Sequence, residues 1–471
     1  MDLLNFIYTI LGIAASAIAI TTAIWGGLKL AKAFHRRVRE GKKSILYVPD
    51  SIKIQNKSRK KMYGRTIWII FSLISLSFFI SFLPFGSIFS QIGGIIFHYG
   101  GQGFISSVPT DCPPTGVARP ATMKPLSVGN DQSIIYLINQ GSQSKSPTSI
   151  LKRYNTVTGS KTEIAKFANT LITQAEVSKN GQWLLFVAQT SGLFKLQLIR
   201  VDGRYLQTIY CGSTAESIDR PLWSSDQKWV MFGDNGSIYL LDISSGVLQS
   251  ELTGSCGSYF SPIAWINKTQ AYVDHGNTCM CAGCSAVELL DINSGTNLVW
   301  QDLKFIAGTS FTMSLDISPD GKQLFIAGSS SFASNQSESD ITVQPATGGQ
   351  ENTINSSPLP NIDQIRVISP STLLLVTSDN ADTSRNGLWK MKTDGSGLTK
   401  LIVNNSYMHL NDFTHDSWAN ASRDDRLYSI FTENQKGLSV LLFGQISGGT
   451  STAFESAPVG NDLAIVGWTT E

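Results

Sequence analysis

Ser318-Pro319-Asp320-Gly321-Lys322-Gln323-Leu324-Phe325-Ile326 joins a tight turn to an apolar run, and the chain repeats that phrase. Asp-Gly tolerates the left-handed backbone of a hairpin turn, so each copy reads as a turn feeding a strand. Earlier copies are Ser178-Lys179-Asn180-Gly181-Gln182-Trp183-Leu184-Leu185-Phe186-Val187 and Ser224-Ser225-Asp226-Gln227-Lys228-Trp229-Val230-Met231-Phe232. Downstream lies a second marker, as in Ile199-Arg200-Val201-Asp202-Gly203, Leu241-Asp242-Ile243-Ser244-Ser245-Gly246, Leu290-Asp291-Ile292-Asn293-Ser294-Gly295 and Met391-Lys392-Thr393-Asp394-Gly395. Closing glycines fall at Gly159, Gly203, Gly246, Gly295, Gly348, Gly395 and Gly448, separated by 44, 43, 49, 53, 47 and 53 residues. This spacing suits a four-stranded unit and is too irregular for a helical solenoid, whose units must stack in register. Four strands per repeat predicts a β-propeller.

Composition agrees. Charged residues make up 15% of the chain, and short apolar runs recur between clusters of Gly, Ser, Thr and Asn, an all-β pattern. Seven blades of roughly 48 residues use about 340 residues in one closed body. Eight inner-strand hairpins are countable, from Val128-Gly129-Asn130-Asp131 to Val459-Gly460-Asn461-Asp462, but only seven have a downstream glycine marker. The last hairpin therefore either closes the ring against strands near the propeller's N-terminal end or starts a truncated eighth blade. Closure protects edge strands, so seven blades is the expectation and eight the alternative.

The phrase Ser-Pro-Asp-Gly-Lys-Gln-Leu at 318–324, followed by Asp-x-x-Ser-Gly markers, resembles the WD40-like repeat of TolB-type β-propellers. The resemblance runs from about Leu126 to the C-terminus. The copies near Asn267 and Ser371 depart from it by lacking the Pro-Asp-Gly turn. Propellers of this type include periplasmic scaffold components, lid domains of prolyl-oligopeptidase-like peptidases and surface proteins. The resemblance thus implies an architecture and leaves the chemistry open.

The first hundred residues differ in kind. Residues 3–28 and 66–97 carry no charged side chain, and each run is long enough to cross the ~30 Å hydrocarbon layer. Two transmembrane helices are expected, over 1–34 and 66–97, the second ending near Leu83 before Pro84 and continuing as an interfacial segment. Asp2 in place of a basic n-region argues against a cleaved signal peptide. The intervening segment, 35–65 with its flanking lysines, holds 13 basic against 2 acidic residues from 29 to 65, a net of +11. That bias predicts a cytoplasmic loop, and so a multi-pass protein of the cell membrane whose propeller is extracellular or periplasmic. Lipid or nucleic-acid binding by the loop is the sharper reading, but topology alone calls for such residues, and no nucleic-acid partner is expected. Removing the loop and Asp2 from the formal +2 leaves −8 on the outer part, unsuited to lying on anionic lipid. A linker over 98–122 then leads to a propeller over 123–471.

All six cysteines, Cys112, Cys211, Cys256, Cys279, Cys281 and Cys284, follow the second apolar run, and an even count outside the cytoplasm suggests disulfides. Cys211 and Cys256 stand about one repeat apart and are candidates to meet across neighbouring blade connections; Cys112 is a candidate partner for one of the other three. His275 with Cys279, Cys281 and Cys284 has the donor types of a zinc set. Cys-x-Cys is tighter than a zinc knuckle, however, and a disulfide-tied loop is the expectation; no cofactor is expected. No Gly-x-Ser-x-Gly nucleophile turn and no Gly-x-x-x-x-Gly-Lys phosphate loop occurs. The last repeat runs to Glu471, so the hydrolase domain of the peptidase relatives is not expected here. His409 and His415 are candidates for one loop of a binding face, the plainer reading being ordinary loop residues.

A non-catalytic binding scaffold is therefore expected, meeting a protein or glycan partner through loops at one end of the channel, the long hairpins 329–339 and 379–387 among them. The rivals are a glycan- or lactone-acting enzyme using paired channel acids and a divalent metal, and a ligand sensor. The enzyme reading needs two acids to converge at the channel mouth.

Overall fold

The structure, a computed structural model, describes residues 109–470 apart from 128, 213–217, 254–257, 278–284, 310–313, 329–339, 355–360, 379–381, 404–406, 412 and 434–436. The expected membrane helices, basic loop and first part of the linker lie outside these residues. Among the described residues no helix is long and apolar enough to cross a membrane.

The repeated phrase folds as it does because its serine bonds twice. Ser318 Oγ donates to Asp320 Oδ1 at 2.6 Å and accepts from Gln323 N at 2.9 Å, while Gly321 N donates to Ser318 O at 2.7 Å. The same turn is built by Ser178 with Asn180 and Trp183, by Ser224 with Asp226 and Trp229, and by Ser422 with Asp424 and Leu427. The residue three after each serine has positive φ: Gly181 74°, Gln227 60°, Gly321 69° and Asp425 56°. At Gly321 a Cβ would also stand 2.1 Å from Ile266 O of the neighbouring blade, so close approach as well as backbone angle requires glycine there.

Each such turn joins the innermost strand of a blade to its second strand. The seven closing glycines mark the turn from third to outermost strand, and all seven have positive φ, from 71° at Gly159 to 115° at Gly295. The described residues form seven antiparallel four-stranded sheets. The innermost strands are Asn461–Thr470 in blade 1, Leu171–Val177 in blade 2, Asp219–Trp223 in blade 3, Ser258–Trp265 in blade 4, Ser314–Ile317 in blade 5, Asn361–Ser369 in blade 6 and Met408–His409 in blade 7. Antiparallel order puts both kinds of marked turn at one end of the channel, the turn face. The other hairpins and the blade-to-blade connections lie at the opposite connector face.

Closure corrects the hairpin count. Val459-Gly460 is not an inner-strand hairpin: it connects the outermost strand of blade 7 to the innermost strand of blade 1. Asn461–Thr470 pairs with Gln132–Gln140, with Gln132 opposite Thr470 and Gln140 opposite Asn461. The chain's last strand thus completes its first blade, and the ring has seven blades rather than eight. Apolar clusters sit between successive blades around the whole ring. The one that seals the seam joins Ile134, Tyr136 and Tyr154 of blade 1 to Leu441 and Phe454 of blade 7 around the fully buried Trp468.

The cysteine pairing also differs from expectation. Cys112 bonds Cys211, 99 residues away, so Cys211 does not pair with Cys256 and Cys112 does not pair with any of Cys279, Cys281 or Cys284. The physical reason is the course of the entering chain, which runs along the outer strand of blade 2 instead of going straight to blade 1. Thr208 N donates to Pro109 O at 3.1 Å, Arg119 N to Ile209 O at 2.8 Å and Ala121 N to Ile243 O at 2.7 Å. A Cβ on Gly246 would stand 2.5 Å from Pro120 N, so the blade 3 turn is shaped to let the entering chain pass. Cys256, Cys279, Cys281 and Cys284 lie outside the described residues. Cys112→Ser is expected to lower stability by about 2–4 kcal/mol through the freed loop. A urea midpoint equal to that of the parent protein would show that the backbone bonds alone hold the entering chain.

Candidate functional site

Blade 7 breaks the pattern. Its innermost strand stops after Met408–His409, and the chain at 410–411 and 413–420 leaves the sheet and crosses the channel. Asn411 anchors this plug. Its Nδ2 donates to Ile465 O at 2.7 Å, its backbone N donates to Asn420 Oδ1 at 2.7 Å, and its carbonyl accepts from Arg366 Nη2 at 2.9 Å. Blade 1, the plug's far end and blade 6 are thereby joined at one residue. Farther along, His415 Nδ1 lies 2.9 Å from Asp316 Oδ1 of blade 5, and Trp418 Nε1 donates to Val177 O of blade 2 at 2.8 Å. A single segment is fastened to blades on both sides of the axis. Buried polar bonds of this kind fix geometry because each is costly to leave unmade.

The plug divides the channel into two mouths. On the turn face is a cavity of about 100 Å³, with Glu176, Trp223, Trp265, His415, Asp416 and Trp418 among its walls. Here the carboxyls of Glu176 and Asp416 are buried neighbours. Burial raises the pKa of both: Glu176 well above the usual carboxylate range, with the Asp416 charge adding to the rise, and Asp416 to about 6. Two adjacent buried carboxyls disfavour ionisation of both at once. Burial lowers the pKa of His415, so a neutral imidazole faces the Asp316 carboxylate, with Nδ1–H as the donor. Arg423, stacked 4.8 Å from the Trp418 ring, is the cation beside Asp416.

The sign of the pH effect follows. The folded pair keeps protons that an unfolded chain releases above the ordinary values of 3.8 and 4.5. Its contribution to stability is complete below about pH 4 and is lost as pH rises through about 6 and beyond, up to about 3 kcal/mol for Asp416. Glu176→Gln is expected to flatten this dependence. Melting curves of both proteins across that window check it; parallel curves would mean the pair ionises freely in the folded state.

On the connector face is a second cavity, of about 250 Å³, lined by His409, Leu410, Asn411, Phe413, Phe431, Leu463, Ala464 and Ile465. Tyr407 stands at its edge, 5.8 Å from the His409 ring and 6.4 Å from Phe431, and is 60% exposed. Val403 and Val459, 72% and 82% exposed, belong to the same face.

Of the residues singled out from sequence, His415 falls in the plug at the turn-face cavity, and His409 ends the inner strand of blade 7 at the connector-face cavity. His275 lies elsewhere: buried in blade 4, its Nδ1 is 3.3 Å from Glu288 Oε2 and its ring stacks on Phe260 at 4.7 Å. Cys279, Cys281 and Cys284, proposed with it as metal ligands, lie outside the described residues. Among the described residues no group of three or more His, Cys, Asp or Glu is placed to hold a metal ion. The loop 329–339 is likewise outside the described residues, as is 379–381 of the loop 379–387, while Asp382 to Gly387 are within them. Glu176, Trp223, Asp416 and Trp418 were not singled out. The local signal for the plug is the loss of strand alternation over Leu410-Asn411, Phe413-Thr414-His415-Asp416-Ser417-Trp418, where polar groups displace the apolar run of the other inner strands.

No family model matches this chain, and no curated protein does. Among solved structures it is similar to TolB from Acinetobacter baumannii, at 14% identity over 48% of this chain and 64% of that one, with a TM-score of 0.32. It is similar to the β-propeller domain of the trilobed protease from Pyrococcus furiosus, of open velcro topology, at 9% identity over 73% and 97%, TM-score 0.48. It is similar also to a prolyl endopeptidase, at 10% identity over 72% and 50%, TM-score 0.49. This chain spans less than two thirds of the TolB protein's length. The assignment to a seven-bladed propeller rests on the chain's own sheet topology, in which seven four-stranded blades are closed by the last strand.

Proposed function

We propose that the protein is a membrane-anchored, outward-facing binding scaffold, with no catalysis of its own, whose propeller engages a protein partner at the connector-face mouth. The observation that carries this is the aromatic-walled cavity of about 250 Å³ with Tyr407 exposed at its edge. It is a socket for an apolar side chain on a face that also exposes Val403 and Val459. The partner is a protein rather than lipid, because the part of the chain outside the basic loop carries −8 and an anionic bilayer repels it. Anchoring rests on the uncharged runs 3–28 and 66–97 and the +11 loop between them.

The rival enzyme reading needs paired acids at the channel mouth, and Glu176 with Asp416 meets that requirement in residue type. Their separation speaks for binding instead. Glycosidase carboxyls stand about 5–9.5 Å apart to admit a sugar carbon or a water, whereas these two are buried immediate neighbours.

The test is co-purification from detergent-solubilised membranes with tagged full-length protein, beside Tyr407→Ser. A defined envelope protein captured by the parent and lost from the variant is expected. The same capture by both, or none by either, would remove the connector-face mouth from the proposal.

A further inference from the structure

We infer that the connector-face mouth selects a cationic partner, a protein segment whose apolar anchor is flanked by lysine or arginine. The inference rests on the reading of that mouth as a protein site and adds the chemistry of what enters it. A socket blind to charge would overturn the inference and leave the site.

Three acidic side chains stand around the cavity on three successive blades. On blade 6, Asp363 precedes Gln364, whose Oε1 accepts from Leu410 N at 2.6 Å and whose Nε2 is 3.4 Å from His409 Nδ1; Leu410 and His409 both belong to the cavity wall. On blade 7, Glu433 N donates at 3.0 Å to the carbonyl of Tyr407, the exposed aromatic at the edge. On blade 1, Asp462 precedes Leu463 of the wall. All three acids are exposed, and none forms an ion pair among the described residues. Arg366 lies beneath this mouth but is buried, and its guanidinium donates to the carbonyls of Asn411 and Ile365.

An apolar pocket edged by one sign of charge makes two demands at once. The wall of Leu410, Phe413, Phe431, Leu463 and Ile465 takes an apolar anchor. The rim then decides what lies beside that anchor. Lysine or arginine there is attracted by acids on three sides, whereas glutamate or aspartate meets its own sign of charge. Burial raises the Asp363 pKa against the pull of the Ser378 hydrogen bond, and a bound cation would lower it again by favouring the charged form. The larger field has the same sign: the chain outside the basic loop carries −8, which steers a cationic partner toward it.

The experiment is calorimetric titration of the full-length protein, in a nonionic detergent, with acetylated and amidated peptides that share a central Leu-Phe pair flanked on both sides by Lys, by Gln or by Glu. The Lys peptide should bind about tenfold tighter than the Gln peptide and the Glu peptide least, a ranking that fades at about 0.5 M salt. Replacing the rim acids together, by Asp363→Asn, Glu433→Gln and Asp462→Asn, should make the Lys and Gln peptides equal. Carboxamides keep the side-chain shape and, at position 363, the oxygen that accepts from Ser378 Oγ at 2.8 Å, so the variant folds. Glu163→Gln with Glu351→Gln, on the outermost strand of blade 1 and beyond Gly348 in blade 5, should keep the parent ranking and so separates the rim from net charge. Equal affinities of the Lys and Gln peptides for the parent overturn the inference; if Tyr407→Ser still weakens both, the apolar site stands without it. A ranking unchanged by the triple replacement, tighter binding of the Glu peptide, or a flat titration with every peptide overturns it as well.

Discussion

Removing residues 461–471 is expected to abolish cooperative folding of the propeller. Those residues hold the innermost strand of blade 1, and with it Leu463, Ile465, Val466 and Trp468, none more than 6% exposed. Each such side chain contributes about 2–4 kcal/mol when its site cannot collapse. Four together approach or exceed the 5–15 kcal/mol that holds an average domain folded. Polar bonds are lost as well: Trp468 Nε1 donates to Ser429 Oγ at 2.9 Å, and Asn411, the plug's anchor, donates to Ile465 O at 2.7 Å. Gln132–Gln140 would become an uncovered inner edge, open to pairing with other chains. A thermal scan followed by far- and near-ultraviolet dichroism should show a sharp transition in the full chain and none in the truncated one. A truncated protein that melts at the parent temperature would mean that the seam is held by something other than this strand. A rescue follows from the register: since Thr470 lies opposite Gln132, a copy of the strand placed just ahead of Gln132 through a tight turn should restore the transition.

Arg423→Ala is expected to cost about 2–3 kcal/mol, the upper part of the range for hydrogen bonds made by a charged group, because this half-buried guanidinium serves three carbonyls. The guanidinium spans the seam from above. Nε donates to Trp468 O of blade 1 at 2.8 Å, while Nη2 and Nη1 donate to Ser178 O and Lys179 O in the blade 2 turn at 2.9 and 2.5 Å. Alanine would leave three carbonyls short of a donor, uncover the Trp418 face and remove the cation beside Asp416. Burial already pulls the Arg423 pKa down to about 10, so the group is held by geometry against a desolvation cost. Arg423→Lys should recover little, because a single ammonium cannot reproduce the planar fork that reaches three separate carbonyls. Urea midpoints of both variants decide the matter. A loss below about 1 kcal/mol in the alanine protein would place Arg423 with ordinary surface cations.

The two predictions differ in how far sequence foresees them. Repeat architecture is local. Ser318, Asp320 and Gly321 build their turn from bonds within six residues, and the closing glycines are required by the sign of φ at their own positions. Such features survive in sequence because nothing distant has to be known to recognise them, and so the number of third-strand turns can be counted correctly. Val459-Gly460 has the same local chemistry as an inner hairpin but not the same place in the fold. Whether it opens an eighth blade or feeds the first depends on a partner strand more than 320 residues away, at Gln132–Gln140.

Distance limits the site in the same way. Sequence alone determined an all-β repeat of four-stranded units, the uncharged runs and basic loop ahead of it, and a set of cysteines without their pairing. Tertiary structure alone decided that Cys112 meets Cys211, that 410–411 and 413–420 cross the channel, and that Glu176 comes to lie beside Asp416. His415 and Asp316 are 99 residues apart, and Trp418 and Val177 are 241 apart. The physical reason is that hairpins are selected by the backbone angles of their own residues, whereas a channel is made by seven inner strands facing one axis, and its chemistry exists only once the last of them has closed the ring.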